Sequence, residues 1–157
     1  MTFGDAIRTC FSKYVTFSGR APRSEFWWFV LFVFVGFFAT VWLDIALFGT
    51  TEVEPGSVSG ESDVAVFSLV FGLGTLLPYI SVIVRRLHDT DRSGWWYWIG
   101  FVPLIGFILL VVWWATKGTE GPNRFGADPL DPDAGGGGQG GRDEGLTASR
   151  IPTVPRA

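Results

Sequence analysis

Phe26-Trp27-Trp28-Phe29-Val30-Leu31-Phe32-Val33-Phe34-Val35-Gly36-Phe37-Phe38-Ala39-Thr40-Val41-Trp42-Leu43-Asp44-Ile45-Ala46-Leu47-Phe48 is the stretch whose reading decides the fold. Only Gly36, Thr40 and Asp44 interrupt its apolar character. Wound as a helix it reaches roughly 35 Å, enough to cross a hydrocarbon core of about 30 Å. Each Leu, Ile, Phe or Val favours insertion by roughly 0.3 to 0.6 kcal/mol, whereas one acid opposes it by about 3.5 kcal/mol at most. Asp44 lies near the end of the run, where an acid is solvated by headgroups. Insertion wins.

Two further runs repeat the signal. Val64 to Val84 carries no charge and contains Pro78, and Trp95 to Ala115 carries no charge and contains Pro103. The expectation is an all-α integral membrane protein with three transmembrane helices, at about 26–48, 64–84 and 95–115. Tryptophans gather at the ends of these runs, where amphipathic rings suit the membrane interface. Trp27, Trp28, Trp95, Trp96, Trp113 and Trp114 are therefore expected to be interfacial anchors. On one continuous helix Trp96 and Trp114 stand about 27 Å apart, matching two aromatic belts.

The flanks set orientation and organisation. Arg8, Lys13, Arg20 and Arg23 precede the first run, and Arg85, Arg86 and Arg92 follow the second. The intervening loop holds Glu52, Glu54, Glu61 and Asp63 and no Lys or Arg. The positive-inside rule then predicts a cytoplasmic N-terminus and an external acidic loop. Phe3, Ile7, Phe11 and Tyr14 recur at helical spacing, predicting a short amphipathic helix in the interface within a cytoplasmic segment 1–25. The basic region is too long, and the apolar run too extended, for a secretory signal, so the first run is expected to be retained. The membrane domain covers 26–129, and the Gly- and Pro-rich 130–157 is expected to be a flexible tail. A hairpin bent at Pro103–Gly106 is the alternative to a full third span. It would return Lys117 and Arg124 to the cytoplasm.

Most chemistries find no support. A net charge of −3 without a basic stripe gives nucleic acid no footing. Cys10 is the one cysteine and His88 the one histidine, so a thiolate cage or His-rich metal shell cannot be completed. No metal, cofactor or catalytic residue is expected, and the protein is read as not an enzyme. Gly36, Thr40, Ser68 and Gly72 form small-residue faces suited to helix packing, either within the chain or between copies. Arg20, Arg23, Glu25, Arg85, Arg86, His88, Asp89 and Arg92 are read as a charged cytoplasmic rim that pairs internally and meets headgroups or a partner. The expected partners are the bilayer itself, an anionic phospholipid, and a second copy or another membrane protein. The alternatives are a small oligomeric transporter using Asp44, or a membrane-bound enzyme acting on lipid through His88.

Three ordered motifs carry a resemblance. Gly19-Arg20-Ala21-Pro22-Arg23-Ser24-Glu25-Phe26-Trp27 opens the set, and Arg85-Arg86-Leu87-His88-Asp89 with Arg92-Ser93-Gly94-Trp95-Trp96 forms its centre. Lys117-Gly118-Thr119-Glu120-Gly121-Pro122-Asn123-Arg124-Phe125-Gly126 with Asp128-Pro129 closes it. Together these resemble the domain of unknown function 805 family, small multi-span proteins of the bacterial inner membrane. The resemblance implies a plasma-membrane location and lends no activity. If the three motifs act together, they should share one side of the membrane, which the hairpin would achieve and the full span would not.

Overall fold

The computed structural model describes residues 1–54, 57–62 and 65–131, so the expected tail, apart from Leu130 and Asp131, lies outside the described residues. Helix α1 spans Phe3–Ser12 and α2 spans Arg23–Phe48. A ribbon of β1 (Gly49–Glu54) and β2 (Ser57–Ser62) follows, paired antiparallel from Gly49↔Ser62 to Glu54↔Ser57. Helix α3 spans Val66–Asp89, a 3-10 helix runs from Gly94 to Phe101, and α4 spans Ile105–Ala115. The ribbon amends the all-helical expectation. Its Thr, Val and Ser content suits extended pairing, and no apolar run is available there for a helix.

Among the described residues two helices, α2 and α3, are long and apolar enough to cross a membrane. Their outer faces carry exposed Leu31, Phe34, Phe38, Trp42, Leu69, Val70 and Leu73. A contiguous apolar exterior of this kind is stable in lipid rather than water. The buried apolar core sits at one end, where Cys10, Ala21, Phe26, Phe29, Val82, Ile83, Leu87, Leu110 and Trp114 meet. Gly36 lets the two long helices approach, because a Cβ there would lie 2.3 Å from the Phe71 ring. Asp44 joins their far ends. Its carboxylate accepts from the backbone N–H of Phe67 (2.9 Å) and Ser68 (2.8 Å), capping α3 where Ala65 offers no side-chain cap.

The third run differs from the single span expected over 95–115. It is a hairpin: a 3-10 arm of about 16 Å, a bend at Val102–Leu104, and an α4 arm of about 16 Å, each too short to cross the hydrocarbon. Pro103 cannot donate a backbone bond and disfavours helix before it. Leu104 adopts φ 65°, which turns the chain back. Gly106 is required at the crossing, since a Cβ there would stand 1.8 Å from the Ile99 carbonyl oxygen. Local bonds satisfy the bend, with Val102 N–H donating to Ile99 O at 2.9 Å and Gly106 N–H to Val102 O at 3.0 Å. Polar side chains are therefore unnecessary there. Trp96 packs edge-on against Trp113 at 5.5 Å, so the two ends of this run share one level instead of forming opposite belts.

Helix α1 lies against α2 and starts with a reciprocal cap between Thr2 and Asp5. Its closest packing uses the small Ala6 and Cys10, both fully buried, while Phe3 meets Trp28 and Phe11 meets Phe29 and Phe32. The chain beyond it repairs α3. Pro78 lacks the N–H that would bond Gly74 O, and the Tyr14 hydroxyl donates to that carbonyl instead, at 2.8 Å.

Tyr14→Phe should lower the unfolding free energy by about 1 kcal/mol. Pro78→Ala restores the missing N–H, so Tyr14→Phe should have a smaller effect in that background. Thermal unfolding of the four proteins in mild detergent measures the coupling. Equal effects in both backgrounds would contradict the repair.

Candidate functional site

The three motifs converge on one buried carboxylate. Asp89, 4% exposed at the C-terminus of α3, accepts from Arg20 Nε at 2.9 Å and pairs with Arg86 through its other oxygen. Arg20 then donates its two remaining groups to the carbonyls of Gly121 and Thr119, both at 2.5 Å. Arg86 Nε donates to Trp114 O at 3.0 Å, and its Nη2 donates to Thr116 O. Arg86 therefore caps the C-terminus of α4, where carbonyls lack intrahelical partners and the dipole is negative. Arg23 adds a longer bond to Ala115 O at 3.3 Å.

A second buried pair lies beside the first. Arg85 Nη1 meets Glu25 Oε1 at 2.5 Å, and the Cys10 thiol faces the same oxygen at 3.8 Å. Ser81 Oγ, 3.5 Å from Arg85 Nε, donates to Thr16 O and Lys13 O, which tethers the end of α1 to α3. Ala21 N–H donates to Arg85 O at 3.0 Å. Three buried cations, Arg20, Arg85 and Arg86, thus face two buried carboxylates, Glu25 and Asp89. The surplus charge meets five carbonyl oxygens of residues 21, 114, 116, 119 and 121. Burial and the Glu25 carboxylate push the Cys10 thiol up from 9.0 to about 12, so it remains protonated.

The closing motif wraps the outside of this cap. Thr119 N–H donates to Asp89 O at 2.8 Å, and Asn123 Nδ2 donates to His88 O and Thr119 Oγ1, each at 2.9 Å. His88 stacks on Phe125 with centroids 3.9 Å apart, and its Nδ1 lies 3.2 Å from Gly19 O. Arg124 pairs with Asp91 at 3.1 Å. Gly118 admits no side chain, for a Cβ would fall 2.1 Å from Asp89 Oδ2. Asp128 accepts from Leu130 N–H and Gly121 N–H, and these bonds hold its carboxyl below the usual range.

The expected charged residues are thus brought together, but in a different setting. Arg20, Glu25, Arg85, Arg86 and Asp89 are expected to pair internally and to meet headgroups or a partner; they do pair with one another, but none is more than 6% exposed. Burial follows because each charge finds ionic partners or carbonyls there. Arg23 stays exposed, His88 is half-buried, and Arg92 lies over the Trp113 ring at 4.8 Å. Among the expected anchors Trp95 is 78% exposed while Trp114 is buried at 9%, against Phe26. Trp27 and Trp28 are exposed at the start of α2. Gly36 and Thr40 lie in α2, where Thr40 Oγ1 bonds Gly36 O at 3.0 Å. Ser68 sits at the Asp44 cap, and Gly72 has nothing within 4 Å of an added Cβ. Tyr14, Thr119 and Asn123 were missed. A proline four residues after a glycine in an apolar helix is a usable signal for the first; the other two lie in the closing motif, which marks them without revealing their bonds.

Among the described residues no cluster of three His, Cys, Asp or Glu side chains could hold a metal. The chain matches the family described as protein of unknown function (DUF805) over residues 14–127. It is 41% identical over 118 residues to the inner membrane protein YhaI of Escherichia coli strain K12, covering 74% of this chain and 88% of that protein. The inner membrane protein YhaH of the same strain is 40% identical over 121 residues, covering 76% and 93%. The uncharacterized protein YiiR is 31% identical over 142 residues, covering 74% and 87%. No solved structure matches. The matched region holds every residue of the three buried ion pairs.

Cys10 should report on the closure of this cap. Maleimide at pH 8 should label the folded protein poorly, and Glu25→Gln, which leaves Arg85 unpaired, should raise the rate at least about tenfold. Arg23→Ala, at an exposed position, should leave it unchanged. Because the thiol is raised in the folded state, its stabilising contribution is complete below pH 9 and declines as pH rises toward 12. Fast labelling of the unaltered protein would contradict the buried setting.

Proposed function

Given that the chain belongs to the DUF805 family, we propose that it is a non-enzymatic assembly protein of the bacterial inner membrane, multi-pass, with its N-terminus and ionic cap in the cytoplasm. The observation that carries this reading is the closed cap. Its five buried charges are engaged with one another or with backbone carbonyls, which supports a structural role for them. The inner-membrane relatives and the Lys and Arg distribution support the location and the orientation.

Self-association is the form of assembly the helices favour. Gly72 and Gly74 have no neighbour within 4 Å of an added Cβ, and Ser68 and Gly72 line an open groove with Phe37, Leu69 and Leu76. In lipid, close approach at small residues supplies the packing that apolar burial supplies in water. The transport alternative rested on Asp44, whose two oxygens are both engaged in capping α3. The lipid-enzyme alternative rested on His88, whose ring is stacked on Phe125 and bonded to Gly19. Both lose their motivating residue to a structural role. Contact with anionic lipid falls to exposed basic side chains, among them Arg23, Lys117 and Arg124.

Donor- and acceptor-labelled copies mixed in liposomes should show energy transfer that persists on dilution into excess lipid, until the dissociation range is reached. Gly72→Ile should shift that range to higher protein density by about tenfold. Transfer no greater than expected for random proximity would overturn self-association.

A further inference from the structure

The membrane domain is thick at the end that holds the ionic cap and thin at the other. Helix α1 meets α2 between Glu25 and Phe32, through Cys10, Phe3 and Phe11. The hairpin runs down α3 over a matching stretch. Gly94 stands against Val84, where a Cβ would lie 2.7 Å from Val84 Cγ1. Tyr79 and Ile83 of α3 then close one cavity with Phe101, Phe107, Leu110 and Trp114 of the hairpin. Tyr79 lies about 15 Å along the helix from Asp89, so the hairpin accompanies α3 through one leaflet of a core about 30 Å thick. Farther along, α2 and α3 are joined by Gly36 against Phe71 and by Asp44 on the N–H groups of Phe67 and Ser68. Exposed Phe34, Phe38, Trp42, Leu69 and Val70 leave the two helices bare to lipid there.

The added elements sit among acyl chains, because Phe101, Leu104, Ile105 and Phe107 of the hairpin are apolar and 63% to 77% exposed. The two arms alone add roughly 150 Å² of cross-section to one leaflet, taking a helix as about 10 Å across. A leaflet crowded in this way relieves the crowding by bending, with the crowded leaflet on the outer, longer side of the curve.

We propose that the chain is a membrane wedge, a binder of bilayer curved convex on the side that holds the ionic cap. Its partner is a lipid surface selected by shape rather than by headgroup charge. The taper belongs to a single chain, so the inference does not rest on the assembly reading.

The test uses the full chain with Cys10→Ser and Glu120→Cys, the latter at an exposed position, carrying a dye in giant phosphatidylcholine vesicles. A narrow membrane tube is drawn from each vesicle, and an impermeant quencher separates caps facing outward from caps facing inward. Outward caps should be enriched in the tube about twofold over the flat membrane, and inward caps depleted by a similar factor. Opposite signs are the signature of a wedge, since the two orientations differ only in which leaflet is crowded. Leu104→Lys places a charge at the apex, which draws the hairpin toward the headgroups and should reduce the enrichment. Ile105→Lys is the second variant should the first fail to fold. Equal densities in tube and vesicle, or a response of the same sign in both orientations, would overturn the proposal. Unchanged enrichment in a folded apex variant would overturn it too, because the hairpin would then not supply the taper.

Discussion

The salt bridges around Asp89 are the constraint on which the rest of this structure depends. A carboxylate taken out of water is stable only if its lone pairs are met, and removing one partner of a buried pair costs about 3–5 kcal/mol. Asp89 is met by Arg20 from the segment before α2 and by Arg86 from its own helix. Those two arginines then reach the carbonyls of residues 114, 116, 119 and 121. One buried acid thus joins three regions of sequence, and the buried Arg85–Glu25 pair beside it ties the start of α2 to α3 a second time.

The hairpin formed by the 3-10 helix and α4 follows from this linkage as much as from Pro103. Its arms are apolar throughout and would sit equally well in lipid as one longer helix. The Arg86 guanidinium on Trp114 O and Thr116 O fixes the end of α4 beside the end of α3. Gly106 and Gly100 then let the arms lie close, and Gly118 lets the chain pass over Asp89. At the opposite end of the long helices Asp44 plays the complementary part, an anion at a helix N-terminus where Arg86 is a cation at a C-terminus.

Much of this was legible from the residues. The spans expected over 26–48 and 64–84 correspond to helices at Arg23–Phe48 and Val66–Asp89, because unbroken apolar runs of that length have one stable form in lipid. The amphipathic leader was readable from Phe3, Ile7 and Phe11. The third run reads first as one span because length and polarity carry the span signal, with the hairpin at Pro103–Gly106 as the alternative; the structure has the hairpin, whose bend rests on Pro103, Leu104, the close approach at Gly106 and a remote arginine. Burial of Arg20, Arg85 and Arg86 was hidden for a related reason. A charge run reads as solvated until its partners, here many residues away in sequence, are seen to enclose it. The two motifs flanking α2 and α3 pointed to a shared site, and the position of the closing motif decided whether that site was complete.

Distance across the cap tests this most directly. Spin labels placed at Ser24 and Glu120, in a protein whose Cys10 is replaced by Ser, read the separation of the first and closing motifs in lipid. A folded-back third run predicts a distribution well below the bilayer's hydrocarbon thickness of about 30 Å. A distribution centred at or beyond that thickness would place the two motifs on opposite sides and contradict the closed cap.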